Sequence, residues 1–379
     1  MTSGGAPAPR ERLFGLDALR AFAALAVMAG HFTLVPRMSG LDFPPMVLAA
    51  FTDHGVQLFF VLSGFLIGGL LLDILDRGPS IPAWRRFLAR RWMRTLPLYM
   101  TWLLVLLCVA PPPGNSLLYF LRYATFLQNL AWPLPESIWF GVSWTLAIEE
   151  WFYLLFSALL FALAIGSGRP RMALAVVLGV FLVVPLLLRL TVGAIGGDFN
   201  LGFRAVVVLR LDAIAYGVLA VWILRSHPEA LRRFRWPLAG SGVAALVVLH
   251  NLQGVMGPPV EWFAWEFALE PMAWTMLFPA AVALRAPRGA LQRVVSSVAD
   301  RSYPIYLVHL DMIVWCVAAV RDGKIPPMLC LPLAVAATFL VADLLHRFIE
   351  MPVIRRRPSQ FPAAHAPMVP ARDGHSAAS

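Results

Sequence analysis

Apolar residues gather along this chain into ten stretches of near-bilayer length, at about 14–35, 54–73, 95–111, 144–165, 172–192, 204–224, 237–253, 265–284, 303–320 and 328–348. A membrane-spanning helix needs roughly 20 predominantly apolar residues, so the third, seventh and ninth stretches sit near the lower limit. Glu266, Glu270 and Pro271 interrupt the start of the eighth. The pattern predicts an all-α polytopic membrane protein of about ten transmembrane helices. No internal repeat is visible, so the inverted-repeat signature of many secondary transporters is missing.

Composition supports the membrane reading. Hydrophobic residues make up 59% of the chain and charged residues 14%, with mean hydropathy +0.72. A soluble protein of this length could not bury so much apolar surface. The net charge of +10 invites a nucleic-acid partner, but its distribution argues against one. Of 31 Lys and Arg, 23 fall in alternate connections: Arg10 and Arg12, Arg77 to Arg94, Arg169 and Arg171, Arg225 to Arg235, Arg285 to Arg301, and Arg347 onward. Only Arg37, Arg122, Arg189, Arg204, Arg321 and Lys324 fall in the others. This is the positive-inside pattern, with an even number of spans and both termini cytoplasmic. The basic excess then serves topology and attracts anionic headgroups or a polyanionic cofactor.

The first apolar stretch carries Arg20 and lacks a small-residue cleavage site, so it reads as a retained span and not a signal peptide. Residues 1–12 form a short cytoplasmic tail, 13–355 the transmembrane domain, and 356–379 a Pro/Ala-rich tail expected to be disordered. No soluble catalytic domain is expected at either end. Cys108, Cys316 and Cys330 lie in or beside spans without metal-ligand spacing. Cys316 and Cys330 flank one outward loop, where a bridge competes with the simpler reading of buried small side chains. No metal site is expected.

The most informative candidate groups are Arg20 and His31, separated by ten residues inside the first span. At ~1.5 Å and ~100° per residue they share a helix face, ~16 Å apart along the axis. Ionisable groups within a span face the bundle interior and mark functional sites. A cation and an imidazole near opposite ends of one stripe suit a site reached from two sides.

Five strings extend this picture: GLDALR before His31, GVQLFFVLSGFLI at 55–67, RRFLARRWMRTLPLY at 85–99, SWTLAIEEWFYLLF at 143–156, and SYPIYLVHL at 302–310 followed by HRFIEMP at 346–352. Together, in this order over about 12–355, they closely resemble the acyltransferase-3 family of integral membrane O-acyltransferases. The resemblance implies transfer of an acyl group, usually acetyl from cytoplasmic acetyl-CoA, to a hydroxyl on an extracytoplasmic acceptor. Such acceptors are sugars of surface polysaccharide, lipopolysaccharide, other glycoconjugates or glycosylated small molecules. It also implies a bacterial cytoplasmic (inner) membrane. Arg20 and His31 match the family's signature pair, Arg91 and Arg94 its basic RxxR, and Glu149 its acid. Thr145 stands where Ser is common and Leu310 where Trp is frequent, which leaves the acceptor class open.

The residue chemistry agrees with that assignment. An alcohol needs a base before it attacks a thioester. His31 and Glu149 lie at similar depth from the outer ends of their spans, so the carboxylate is expected to orient the imidazole. Glu150 lies ~100° around the helix, so only one of the two acids is expected to face the interior. Trp144 and Tyr153 read as interface anchors. Arg85, Arg86, Arg90, Arg91 and Arg94 offer forks for the CoA phosphates, with Arg20 meeting the inner part of the donor. Arg210 and Asp212, two residues apart, are each expected to pair with another helix. His309 and Asp311 are placed in the cytoplasmic half of the ninth span, with structural and donor-site roles both open. Asp17 neutralises Arg20, His346, Arg347 and Glu350 cap the last span, and His54 reads as a solvated outer residue. His31 acts either as general base or as an acyl-accepting relay. The competing class is a transporter or exporter of an acylated or glycosidic metabolite, because intramembrane Arg, His and Glu also line transport paths.

Overall fold

The computed structural model describes residues 12–32, 46–131, 134, 138–194, 203–256 and 260–361. Among them there is no strand, and the chain is a helical bundle. Its helices are α1 (Phe14–Phe32), α2 (Met46–Asp76), α3 (Ile81–Val109), α4 (Leu117–Ala124), α5 (Ser143–Ser167), α6 (Pro170–Ala194) and α7 (Leu211–Ser226). They continue with α8 (Pro228–Met256), α9 (Val260–Thr275), α10 (Phe278–Ala283), α11 (Ala290–Arg321), α12 (Pro327–Leu345) and α13 (Met351–Arg355), the last two joined by a π-turn at His346–Glu350. Within the described residues seven helices, α1, α2, α3, α5, α6, α11 and α12 with its extension, are long and apolar enough to cross a membrane. This is an integral, multi-pass membrane protein.

Each of the ten apolar stretches lies on a helix or a helix pair, but not all as single spans. The sixth enters through a 3-10 turn at Val207–Leu209, so its α-helix has 16 residues and begins after Arg210. The eighth divides into α9 and α10. Its acids Glu266 and Glu270 are nonetheless buried, facing the protein. Residues 1–11 and 362–379 lie outside the described residues, and with them most of both expected tails. The stretch 356–361 is described, and it folds back on the start of α3, where Gln360 Nε2 donates to the Ala83 carbonyl at 3.1 Å.

Close backbone approach sets the centre of the bundle. A Cβ on Gly64 of α2 would lie 1.9 Å from the Ile214 carbonyl oxygen of α7, and one on Gly217 would lie 2.0 Å from that of Val61. The two backbones therefore touch, the way small residues let membrane helices pack without a solvent-driven hydrophobic force. Gly64→Val should abolish recovery of monodisperse protein in detergent size-exclusion chromatography. Gly166→Val, in α5 with open space around its Cβ position, should elute like the wild type.

Among the described residues one ion pair is wholly enclosed. Arg189, expected in an outward connection, lies in α6 and is 0% exposed, as is its partner Asp212 of α7. Two parallel bonds of 2.9 and 2.6 Å join guanidinium and carboxylate, and Arg189 Nε donates to the Ala264 carbonyl at 3.1 Å. Asp212 thus finds its partner on another helix. Arg210 points elsewhere, donating to Gln57 Oε1 of α2 at 2.8 Å with Phe267 under its guanidinium at 3.7 Å.

Candidate active site

α1 and α11 cross so that His31 and His309 meet. His309 is 0% exposed, and its Nδ1 faces the carbonyl oxygens of Tyr306 at 2.8 Å and Ile305 at 3.2 Å. Carbonyls only accept, so Nδ1 carries the proton and, in the neutral ring, Nε2 holds a lone pair. That Nε2 lies 2.9 Å from His31 Nδ1, which also faces the Val27 carbonyl at 3.1 Å. Two acceptors around His31 Nδ1 place its proton there. His31 Nε2 is left as a bare lone pair, with no bonding partner among the described residues. The tautomers follow from the acceptors around each ring, and the product is an imidazole nitrogen ready to take a proton.

Glu149 does not supply this orientation. Its Oε1 accepts from Ser63 of α2 at 2.8 Å and its Oε2 from Tyr153, one turn along α5, at 2.6 Å. No hydrogen bond joins Glu149 to His31, contrary to the expectation from depth along the spans. Depth fixes height in the bundle but not azimuth, and α11 stands beside α1 where α5 was expected. His309 is accordingly level with His31, not displaced to the other half of its span. Its neighbour Asp311 accepts from Trp102 Nε1 at 2.8 Å.

Arg91 of α3 completes the acid's network, donating to the Tyr153 hydroxyl at 2.8 Å with its guanidinium 4.5 Å from that ring. Tyr153 therefore accepts from a cation and donates to an anion. It is a buried link and not an interface anchor. Trp144 packs against Phe60, ring centroids 6.3 Å apart, with the Arg204 guanidinium 5.3 Å from its own ring. Glu150 is also turned inward, 7% exposed, accepting from Thr95 of α3 at 2.6 Å. Both acids face protein because α5 is flanked by α2 on one side and α3 on another, so ~100° of rotation still meets a neighbour.

A cavity of about 90 Å³ lies among these groups, lined by Arg20, Arg91 and Arg94 together with Ser63, Glu149, Tyr303 and Tyr306. Arg20 thus reaches the same space as the RxxR pair. Asp17 lies 3.9 Å from Arg20 but bonds Arg12, which also binds Asp300 of α11 at 2.8 Å. Arg90 stands outside the cavity lining and donates to the Pro358 carbonyl. His31 also stands outside it. Tyr306 separates the two, its ring 5.7 Å from His309 and its hydroxyl 2.7 Å from Thr145 Oγ1.

The remaining candidates fall elsewhere. His54, expected in solvent, lies in α2 and bonds Glu270 at 2.6 Å. His346 bonds Glu350 at 2.7 Å, and Arg347 bonds Asp343 at 2.7 Å. No cluster of three or more His, Cys, Asp or Glu able to hold a metal occurs among the described residues. Sequence reading passed over Tyr153, Ser63 and Tyr306 as site residues. The four-residue spacing of Glu149 and Tyr153 was the available signal for the first.

The fold and site define a class: a multi-pass helical membrane protein with an imidazole pair and an arginine-lined cavity inside its bundle. The acyltransferase domain family model matches residues 13–347, and the chain belongs to that family. It is similar to the O-acetyltransferase OatA of Staphylococcus aureus, 25% identical over 363 residues, covering 90% of this chain and 57% of that protein. It is also similar to the peptidoglycan O-acetyltransferase OatA of Listeria monocytogenes, 26% identical over 375 residues, covering 91% of this chain and 56% of that one. The chain thus spans just over half the length of these relatives. No solved structure matches it.

Proposed function

We propose that this protein is a membrane O-acetyltransferase that moves an acetyl group from a cytoplasmic acyl-CoA to a hydroxyl of an extracytoplasmic glycan. The observation that carries the reading is the His31–His309 contact of 2.9 Å, which leaves His31 Nε2 unprotonated, with an arginine-lined cavity on the other side of Tyr306. The peptidoglycan O-acetyltransferase relative makes peptidoglycan the first acceptor to try. In this reading both termini and the Arg-rich connections face the cytoplasm, in a bacterial inner membrane.

His31 Nε2 takes the proton of the acceptor hydroxyl as its oxygen attacks the thioester carbonyl. The tetrahedral adduct collapses, the C–S bond breaks, and His31 returns the proton to the leaving sulfur. Arg20, Arg91 and Arg94 hold the anionic donor, with Arg91 fixed by Tyr153 and, through it, Glu149. A relay with acetyl on His31 differs in forming an acyl-enzyme, which acid quenching without acceptor would trap.

The test is label transfer from radiolabelled acetyl-CoA to peptidoglycan fragments in membranes containing the protein. The expected result is acetyl ester on the glycan, released by mild base. Membranes that bind acetyl-CoA yet label no glycan or glycoside overturn the transferase reading and favour the exporter.

A further inference from the structure

The stretch after α13 brings one more arginine to the arginine-rich start of α3. Three contacts fix it on α3 and the connection before it: Arg90 donates to the Pro358 carbonyl, Gln360 to the Ala83 carbonyl, and the Arg77 guanidinium lies 4.0 Å from the Phe361 ring centroid. Arg357 sits at the near end of this docked segment, half-buried, and no carboxylate pairs with it among the described residues. Burial, and then Arg90, Arg94 and Arg91, lower its pKa to about 10. Arg91 has its counter-charge in Glu149 through Tyr153, but no carboxylate bonds Arg90, Arg94 or Arg357 among the described residues, and like charges repel most strongly where water is partly excluded. An arrangement of that kind is relieved when a multiply charged anion binds. It also lies beyond the residues matched by the family model, which end at 347.

We propose that Arg357 is a phosphate ligand, and that the docked stretch 357–361 completes an anion subsite with Arg90, Arg91 and Arg94 for the phosphate groups of a CoA thioester. This rests on the acyl-CoA donor reading above. A planar fork beside three others suits a phosphate monoester or diphosphate, where each guanidinium can bond two oxygens. Cavity and subsite then divide the donor, acyl end in the cavity and nucleotide end at the start of α3.

The experiment measures binding of CoA and of 3′-dephospho-CoA to the full chain in phosphatidylcholine nanodiscs. Wild type, Arg357→Gln and Arg356→Gln are compared, the last removing an equal charge from an exposed neighbour. Loss of one charged hydrogen-bond pair should raise the Kd for CoA about tenfold in Arg357→Gln. Arg356→Gln should bind like wild type. A smaller effect with 3′-dephospho-CoA assigns the contact to the 3′-phosphate, and an equal effect assigns it to the diphosphate. Wild type and Arg357→Gln binding CoA equally would overturn the inference and leave the donor reading standing, as would equal weakening in both variants. A difference appearing only after phosphatidylglycerol is added assigns the subsite to lipid headgroups and overturns it too. Wild type failing to bind CoA at all removes the donor reading itself.

Discussion

His31→Ala lowers acetyl transfer about 10²- to 10⁴-fold at matched protein level, the range that a positioned general base contributes. The informative companion is His309, because its proposed effect runs through His31. His309→Leu removes the acceptor facing His31 Nδ1, so the His31 proton is free to move to Nε2 and the lone pair that should face the hydroxyl is lost. Mis-set tautomers cost a Ser-His-Asp enzyme about 10⁴-fold, and a loss of about 10²-fold or more is expected here. His309→Gln keeps a carbonyl oxygen able to accept from His31 and an amide able to donate to the Tyr306 carbonyl. It should recover most of the rate, with KM for the acyl donor unchanged in both variants. Steady-state kinetics in proteoliposomes separates the outcomes. If glutamine fails as badly as leucine while both proteins melt like wild type, orientation is not what His309 supplies. Glu149→Gln should instead disturb Arg91 through Tyr153 and act mainly on donor KM.

The largest stability effect is expected at Arg189 and Asp212. Neither side chain reaches the surface, and two bonds of 2.9 and 2.6 Å match fork to carboxylate. Removing one partner strands a buried charge, at a cost of about 3–5 kcal/mol. Arg189→Met and Asp212→Leu should each collapse the melting transition in detergent or prevent recovery of folded protein. The double substitution should regain most of the lost stability, since an enclosed apolar pair of similar volume needs no compensating charge. A double variant as unstable as the singles would mean that the Arg189 bonds to the backbone at Ala264 and Leu209 matter more than the ion pair.

Hydropathy was enough to determine that this chain is an all-α membrane bundle, because apolar stretches near 20 residues have few other stable fates in water or lipid. The ordered strings in turn pointed to the family that the match over 13–347 shows. Ranking Arg20, His31 and Glu149 as candidates was also within reach of sequence, since ionisable groups inside spans are costly and stand out, and Arg91 and Arg94 were ranked by their match to the family's RxxR and the phosphate-binding chemistry of arginine. Which of them meet was not. Helix geometry gives height along an axis and face around it, whereas contact depends on which helices are neighbours and how each is rotated. That is why His31 found His309 and not Glu149, why Glu149 and Glu150 are both turned inward, and why Arg189 belongs to the interior. Side-chain packing across α1, α2, α7 and α11, with glycines letting backbones touch at Gly64 and Gly217, settled those neighbours. Such contacts join residues tens to hundreds of positions apart, so only the tertiary structure could decide them.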